Sequence, residues 1–221
     1  MSKVIDLTFT VRKHWRWLVK VYPHPTSDKR IQHSFMEYNL HSFTHADSLL
    51  HFVPGTDTID KVPLDKFMGE AAVVNLSHLG ADDAVTAADL EKHGKHVRAG
   101  DIVLLRTDWP LKCDVATRDF WGKAPYTAQD ACDWLVKRKV KTVGYDYSPD
   151  YVNKFEVNDP KHDFKYEEYT THLAFFPNKI YVVEYLCNLH LITRKRVQFF
   201  ALPIPIEGSE GAPVRAIAIE D

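Results

Sequence analysis

The sequence predicts a mixed α/β fold dominated by strands, with a few helices at its periphery. Short apolar runs rich in β-branched residues recur along the chain, each bounded by turn residues. Two other stretches carry the cap signals that open helices. No linker, internal repeat or low-complexity segment breaks the succession, so residues 1–221 read as one domain.

Val4–Thr8 is the opening strand, and Ser34–Leu40 alternates into a histidine-rich run. Ala71–Leu76 (AAVVNL) and Asp101–Arg106 (DIVLLR) are compact apolar strands. Between them Thr86 and Asp89 form a cap pair opening the helix TAADLEKHGKHV, with Gly100 shortly after it. Thr127 and Asp130 do the same for TAQDACDWLVKRKV. Strands follow at Lys141–Tyr145 and Ile180–Tyr185, separated by a helix over Tyr166–Phe175 that stops before Pro177. Val197–Ile204 and Val214–Ile219 close the chain, and Pro203 and Pro205 restrict the former to an edge or a bulge.

Composition excludes several classes of function. Lys and Arg number 28 against 30 Asp and Glu, a net charge of −2, which gives no electrostatic basis for binding nucleic acid or an acidic membrane surface. No apolar run approaches the ~18 residues that span a bilayer. The start, MSKVIDLTFTVRKHW, lacks the apolar core of a signal peptide. Three widely spaced cysteines, Cys113, Cys132 and Cys187, argue against a disulfide framework. A cytoplasmic protein acting on a small molecule is expected.

The most informative run is Leu40–His51, LHSFTHADSLLH. It gathers His41, His45, Asp47 and His51, and imidazole with carboxylate is the donor set of zinc and other transition metals. An open coordination position on such an ion activates water, so the run predicts a metal-dependent hydrolase. The spacing places the motif at a strand end and in the following turn, where His45 and Asp47 converge if the chain bends. The competing interpretation is a loop of polar surface histidines. His51 is a further ligand, a neutral-pH base or a hydrogen-bonded structural residue. Far downstream, His172 falls on a helix, and Glu184 interrupts the apolar strand IYVVEYL. A carboxylate among Val182, Val183, Tyr185 and Leu186 needs a compensating cation or donor unless it faces solvent from an edge.

These residues resemble the signature of the Putative cyclase family, His-x-Gly-Thr-His-x-Asp-x-Pro-x-His, a family that holds bacterial kynurenine formamidases and isatin hydrolases. His41, Thr44, His45, Asp47 and His51 match it, while Phe43 stands for the glycine and Leu49 for the proline. VIDLT, AGDIVLLRTDW, GYDYSPD, the His172…Glu184 block and FFALPIPIEGSEGAPVRAIA are similar to further family segments, so the likeness covers most of the chain. The resemblance implies a swivelling β/β/α domain, a central barrel-like mixed sheet with peripheral helices, assembled as a homodimer or homotetramer. It implies that His41, His45 and Asp47 bind a first divalent metal, Zn or Mn. Asp47 then bridges to a second ion held by His172 and Glu184, and His51 is the acid/base. Phe43 implies either a different local backbone or an aromatic wall beside the metals, and Leu49 a less rigid segment under His51. The region 11–25, with His14, Trp15 and Trp17, departs from the family opening.

The expected reaction is hydrolysis of an amide, formamide or cyclic amide C–N bond of a small aromatic substrate, N-formylkynurenine and isatin among the candidates. Trp15, Trp17, Phe43 and Trp109 are candidate substrate-binding aromatics, although aromatics more often belong to the core. Asp146 and Asp150 read as fold residues or supports of ligands rather than ligands. A lactonase or a non-catalytic metal-binding relative are the alternatives.

Overall fold

A computed structural model describes residues 2–26 and 28–221. Its centre is a nine-stranded mixed sheet, in spatial order Lys3–Asp6, Ile217–Glu220, Arg196–Phe200, Met68–Asn75, Ile102–Arg106, Thr142–Tyr145, Tyr181–Glu184, His45–Asp47 and Gly211–Pro213. The four strands from Met68–Asn75 to Tyr181–Glu184 run parallel, and antiparallel strands extend the sheet on both sides. Parallel strands carry helices on their crossovers and are covered on their faces. Hence Ala71–Val74, Ile102–Leu105 and Thr142–Tyr145 are buried throughout, which is why they read as continuous apolar runs.

The sheet curls. Thr8, just past the first edge strand, bridges Leu186, just past Tyr181–Glu184, and the Cys187 amide donates to the Leu7 carbonyl at 2.9 Å. This is the barrel-like β/β/α arrangement that the resemblance implied, with helices outside. The crossover helix Ala87–His93 opens with the expected capping box between Thr86 and Asp89. The second crossover helix, Gln129–Lys137, does not use Thr127. That residue pairs in a short strand with Val85, Ala128 holds the cap position, and Asp130 accepts from the Ala87 amide at 3.1 Å.

Three other expectations shift. Ser34–Tyr38 pairs with Val19–Pro23 in a separate hairpin rather than feeding the main sheet. The expected helix over Tyr166–Phe175 divides into a 3-10 turn, Tyr166–Glu168, and a helix, Thr170–Phe175. Val214–Ile219 is likewise not one strand, because Gly211–Pro213 and Ile217–Glu220 sit on opposite sides of the curled sheet.

Candidate metal centre

The middle of the histidine run, His45–Asp47, is a strand, with His41 in the turn before it and His51 in the 3-10 turn after it. His45–Asp47 lies between Tyr181–Glu184 and Gly211–Pro213, with His45 opposite Glu184 and Asp47 opposite Val182. Alternation puts His45 and Asp47 on one face and buries Ala46 on the other. Directly opposed residues share a face, so Glu184 joins them. His45 Nε2 is 3.4 Å from Asp47 Oδ1 and 3.9 Å from Glu184 Oε2. The two motif residues therefore converge without the bend expected from the sequence.

His41 comes from the preceding turn, its amide held by the Asn39 side chain. Its Nδ1 lies 2.9 Å from Asp47 Oδ1, and its Nε2 is 3.0 Å from Glu210 Oε1. Gly211 makes this approach possible, since a Cβ there would sit 2.8 Å from His41 Cε1. His51 follows on a 3-10 turn, Leu49–His51, anchored by the buried Leu49. Leu49 packs into the core at the position where the family signature has proline. The His51 ring stacks on His41 at 4.0 Å between centroids. From the helix Thr170–Phe175, His172 brings Nε2 within 3.5 Å of both Asp47 Oδ2 and Glu184 Oε1.

Two groups of potential ligand atoms result, each set lying within 4.8 Å of one another: His41, Asp47 and His51, and Asp47, His172 and Glu184. Asp47 belongs to both. It is 1 % exposed, yet among the described residues no contact to either of its oxygens, to Glu184 Oε1 or to His41 Nδ1 has the geometry of a hydrogen bond. Buried carboxylates without donors are strongly disfavoured unless a cation sits among them, so these residues fit a divalent metal. The imidazoles are oriented for it: His45 Nδ1 donates to the Phe43 carbonyl at 2.8 Å, and His172 Nδ1 donates to Asp150. Each Nε2 is left facing the carboxylates, as in metal sites where an outer partner fixes the tautomer.

Electrostatics agree. Burial pushes Glu184 up to about 7, with Asp47 adding to the rise against His172. Burial works against a charged His41, but Asp47 and Glu210 outweigh it and raise the ring to about 9. Burial lowers His45 to about 4 and His51 to about 3, so both are neutral near pH 7.

The centre opens into a cavity of about 230 Å³, whose walls include Arg16, Phe52, Asn153, Glu156, Tyr169 and Tyr185. The four aromatic candidates from the sequence are not among them. Trp17, Phe43 and Trp109 are core residues at 6 %, 0 % and 4 % exposure. Phe43 packs on Trp17 at 4.7 Å, and Trp109 Nε1 donates to the Phe120 carbonyl at 2.9 Å. Trp15 is partly exposed beneath Arg118. The flat walls instead come from Phe52, Tyr169 and Tyr185. Phe43 does not alter the backbone either: its φ of +51° is the left-handed conformation that glycine favours.

Several contributors were not singled out in the sequence. Glu210 contacts His41 and Gly211 makes room for that ring, whereas Asp150, expected as a support, orients His172. A glycine inside a strand signals close approach, and that signal was present in EGSEGAP.

Residues 5–150 match the family described as Putative cyclase, and the chain belongs to that family. Over 211 residues it is 28 % identical to the kynurenine formamidase of Bordetella petrii, covering 95 % of this chain and 88 % of that protein. It is also 28 % identical to the isatin hydrolase of Roseibium aggregatum, over 84 % of this chain and 74 % of that one. Among solved structures, isatin hydrolase A from Labrenzia aggregata bound to benzyl benzoate superposes with a TM-score of 0.81. The alignment covers 99 % of this chain and 93 % of that one at 20 % identity, so it speaks for the fold.

Proposed function

We propose that the chain is a metal-dependent hydrolase that cuts a C–N bond of a small aromatic amide, formamide or cyclic amide. Asp47 carries this reading: a buried carboxylate shared by two groups of ligand atoms, with neither oxygen in a well-formed hydrogen bond among the described residues. The activities named for the relatives, kynurenine formamidase and isatin hydrolase, fall in the same class of bond. In this reading His41, His45 and Asp47 hold one divalent ion, zinc or manganese, and Asp47, His172 and Glu184 hold a second. The bound metal supplies Lewis-acid chemistry and makes water a nucleophile at neutral pH.

The protein's own residues supply the remainder. His51 faces the cavity as a neutral imidazole whose side chain makes no hydrogen bond among the described residues. It takes the proton of the attacking water and returns it to the departing nitrogen. Phe52, Tyr169 and Tyr185 flank the aromatic part of the substrate. A second role for His51 has its own support, since its ring nitrogen lies within the ligand-atom group of His41 and Asp47. His51→Ala separates the two: a base leaves metal content intact while turnover falls, whereas a ligand loses both.

The deciding experiment is elemental analysis of metal-replete protein beside a panel of amides and matched esters that includes N-formylkynurenine and isatin. Bound Zn or Mn with amide turnover is the expected result. Preference for esters would make the protein a lactonase, and absence of metal would sink the reading. Homodimer or homotetramer assembly belongs to the same proposal. The Val19–Pro23/Ser34–Tyr38 hairpin exposes Val21, Tyr22, Phe35 and Met36, and an isolated two-stranded hairpin is marginally stable in water. Light scattering during size-exclusion chromatography reads this directly, and a monomer at micromolar concentration removes that part.

A further inference from the structure

The cavity that holds the carboxylates is also lined by Arg16, a fixed cation that the hydrolytic chemistry above does not use. It comes from the N-terminal region that departs from the family pattern, and its side chain is 14 % exposed. Nε and Nη2 donate to the two oxygens of Glu156. The rings of Trp17 and Trp121 lie 5.4 and 5.5 Å from Cζ and hold the guanidinium in place. Glu156 thus occupies one edge of a rigid, five-donor fork. Nη1 makes no hydrogen bond among the described residues. A second cavity, of about 250 Å³, also borders Arg16, Glu156 and His41, which leaves room for a group reaching past the ion pair.

We propose that Arg16, held by Glu156, determines specificity: its free Nη1 edge donates to an uncharged carbonyl oxygen of the substrate, remote from the C–N bond that is cut. The inference rests on the hydrolytic reading above for the position of that bond. Charge favours a neutral acceptor. Glu156 already neutralises the guanidinium. An incoming carboxylate would meet Glu156 at close range. A carbonyl receives the charge-assisted hydrogen bond without that repulsion.

The test uses metal-loaded enzyme with formanilide, its ortho-, meta- and para-carbamoyl derivatives, and the three matching carboxylates. In the wild type, kcat/KM for the best carbamoyl isomer should exceed that for formanilide by about 10- to 100-fold, mainly through KM, the scale of a hydrogen bond to a charged group. Arg16→Met should abolish that advantage, lowering the carbamoyl compounds more than formanilide. Glu156→Gln should raise the carboxylates relative to the carbamoyl compounds, and circular dichroism establishes that each variant is folded. Equilibrium binding adds a readout free of turnover. By calorimetry the best aminobenzamide should bind at least about 10-fold tighter than aniline, and Arg16→Met should remove the difference. If formanilide is not hydrolysed, the hydrolytic reading fails while the binding contrast still decides the role of Arg16. The proposal is overturned if aminobenzamide and aniline bind alike, if carboxylates outperform carbamoyl compounds in the wild type, or if Arg16→Met changes all ligands equally.

Discussion

A methyl group at position 211 would intrude directly on the metal centre. The Cβ of alanine would lie 2.8 Å from His41 Cε1 and 3.2 Å from Asp47 Oδ1. Non-bonded carbons rest at about 3.5–4.0 Å, so the imidazole has to retreat by about 0.7 Å or more. Metal–ligand distances tolerate only about ±0.2 Å, and a misplacement near 1 Å can reduce turnover about 10²-fold. Gly211→Ala should therefore weaken metal affinity at least ~10-fold and lower kcat/KM by ~10- to 100-fold, or about 1.4–2.7 kcal/mol. The His41 side chain is 23 % exposed and can swing outward, but the Ala46 carbonyl, 3.2 Å from the new carbon, is backbone, so the melting temperature should fall modestly as well. Calorimetric metal titration and steady-state kinetics read the two effects. Gly55→Ala is the control. Its φ of +81° makes alanine strained, but nothing lies within 4 Å of the new carbon, so stability should fall with metal affinity unchanged. A Gly211→Ala protein with wild-type metal affinity and wild-type kcat/KM would refute the argument.

Other perturbations separate the site from its frame. Asp150→Asn should cut metal affinity by ~10- to 100-fold in a metal titration, because the buried His172 loses the carboxylate that fixes its tautomer. Phe43→Gly restores the family residue and relieves ~1–2 kcal/mol of left-handed strain, but it empties a fully buried aromatic site worth ~3–5 kcal/mol. A net loss of roughly 1–4 kcal/mol is expected in denaturant unfolding. Trp109→Phe should destabilise by about 1 kcal/mol through the lost bond to the Phe120 carbonyl, with KM unchanged; a raised KM would return Trp109 to the substrate. Burial tends to raise the pKa of Glu220, but the amides of Arg194 and Thr193 and the charge of Lys3 outweigh it and hold the group below its usual 4.5. Its contribution is present above the unfolded value and disappears as pH falls through the folded one. Glu220→Gln should thus lower the melting temperature at pH 7, with the gap closing towards pH 3.

Much of this architecture was legible because apolar runs and ligand chemistry are local signals. Ala71–Leu76 and Asp101–Arg106 read as strands since parallel strands buried on both faces must be apolar throughout. Glu184 stood out because a carboxylate in such a strand needs compensation. Properties created by long-range packing were harder to read. Thr127 carries a cap signal, yet its pairing beside Val85 takes it into a strand. Trp17 and Trp109 are open to core or pocket in the sequence, core being the commoner fate of aromatics, and their packing against Phe43 and Phe120 decides for the core. Arg16, Glu210 and Gly211 acquire roles from neighbours far away in the chain.

That separation sets a timetable for synthesis. His41 and the Glu210 that contacts its ring are 169 residues apart, and the strand carrying His45 and Asp47 is flanked by two strands from the last quarter of the chain. At about 5–20 residues per second the ribosome needs roughly 10–30 s to deliver those partners. Throughout that interval the histidine run exists without its scaffold. Assembly of the candidate metal centre therefore belongs to the completed polypeptide: the nascent segment offers the donors, and the last strands confer the geometry.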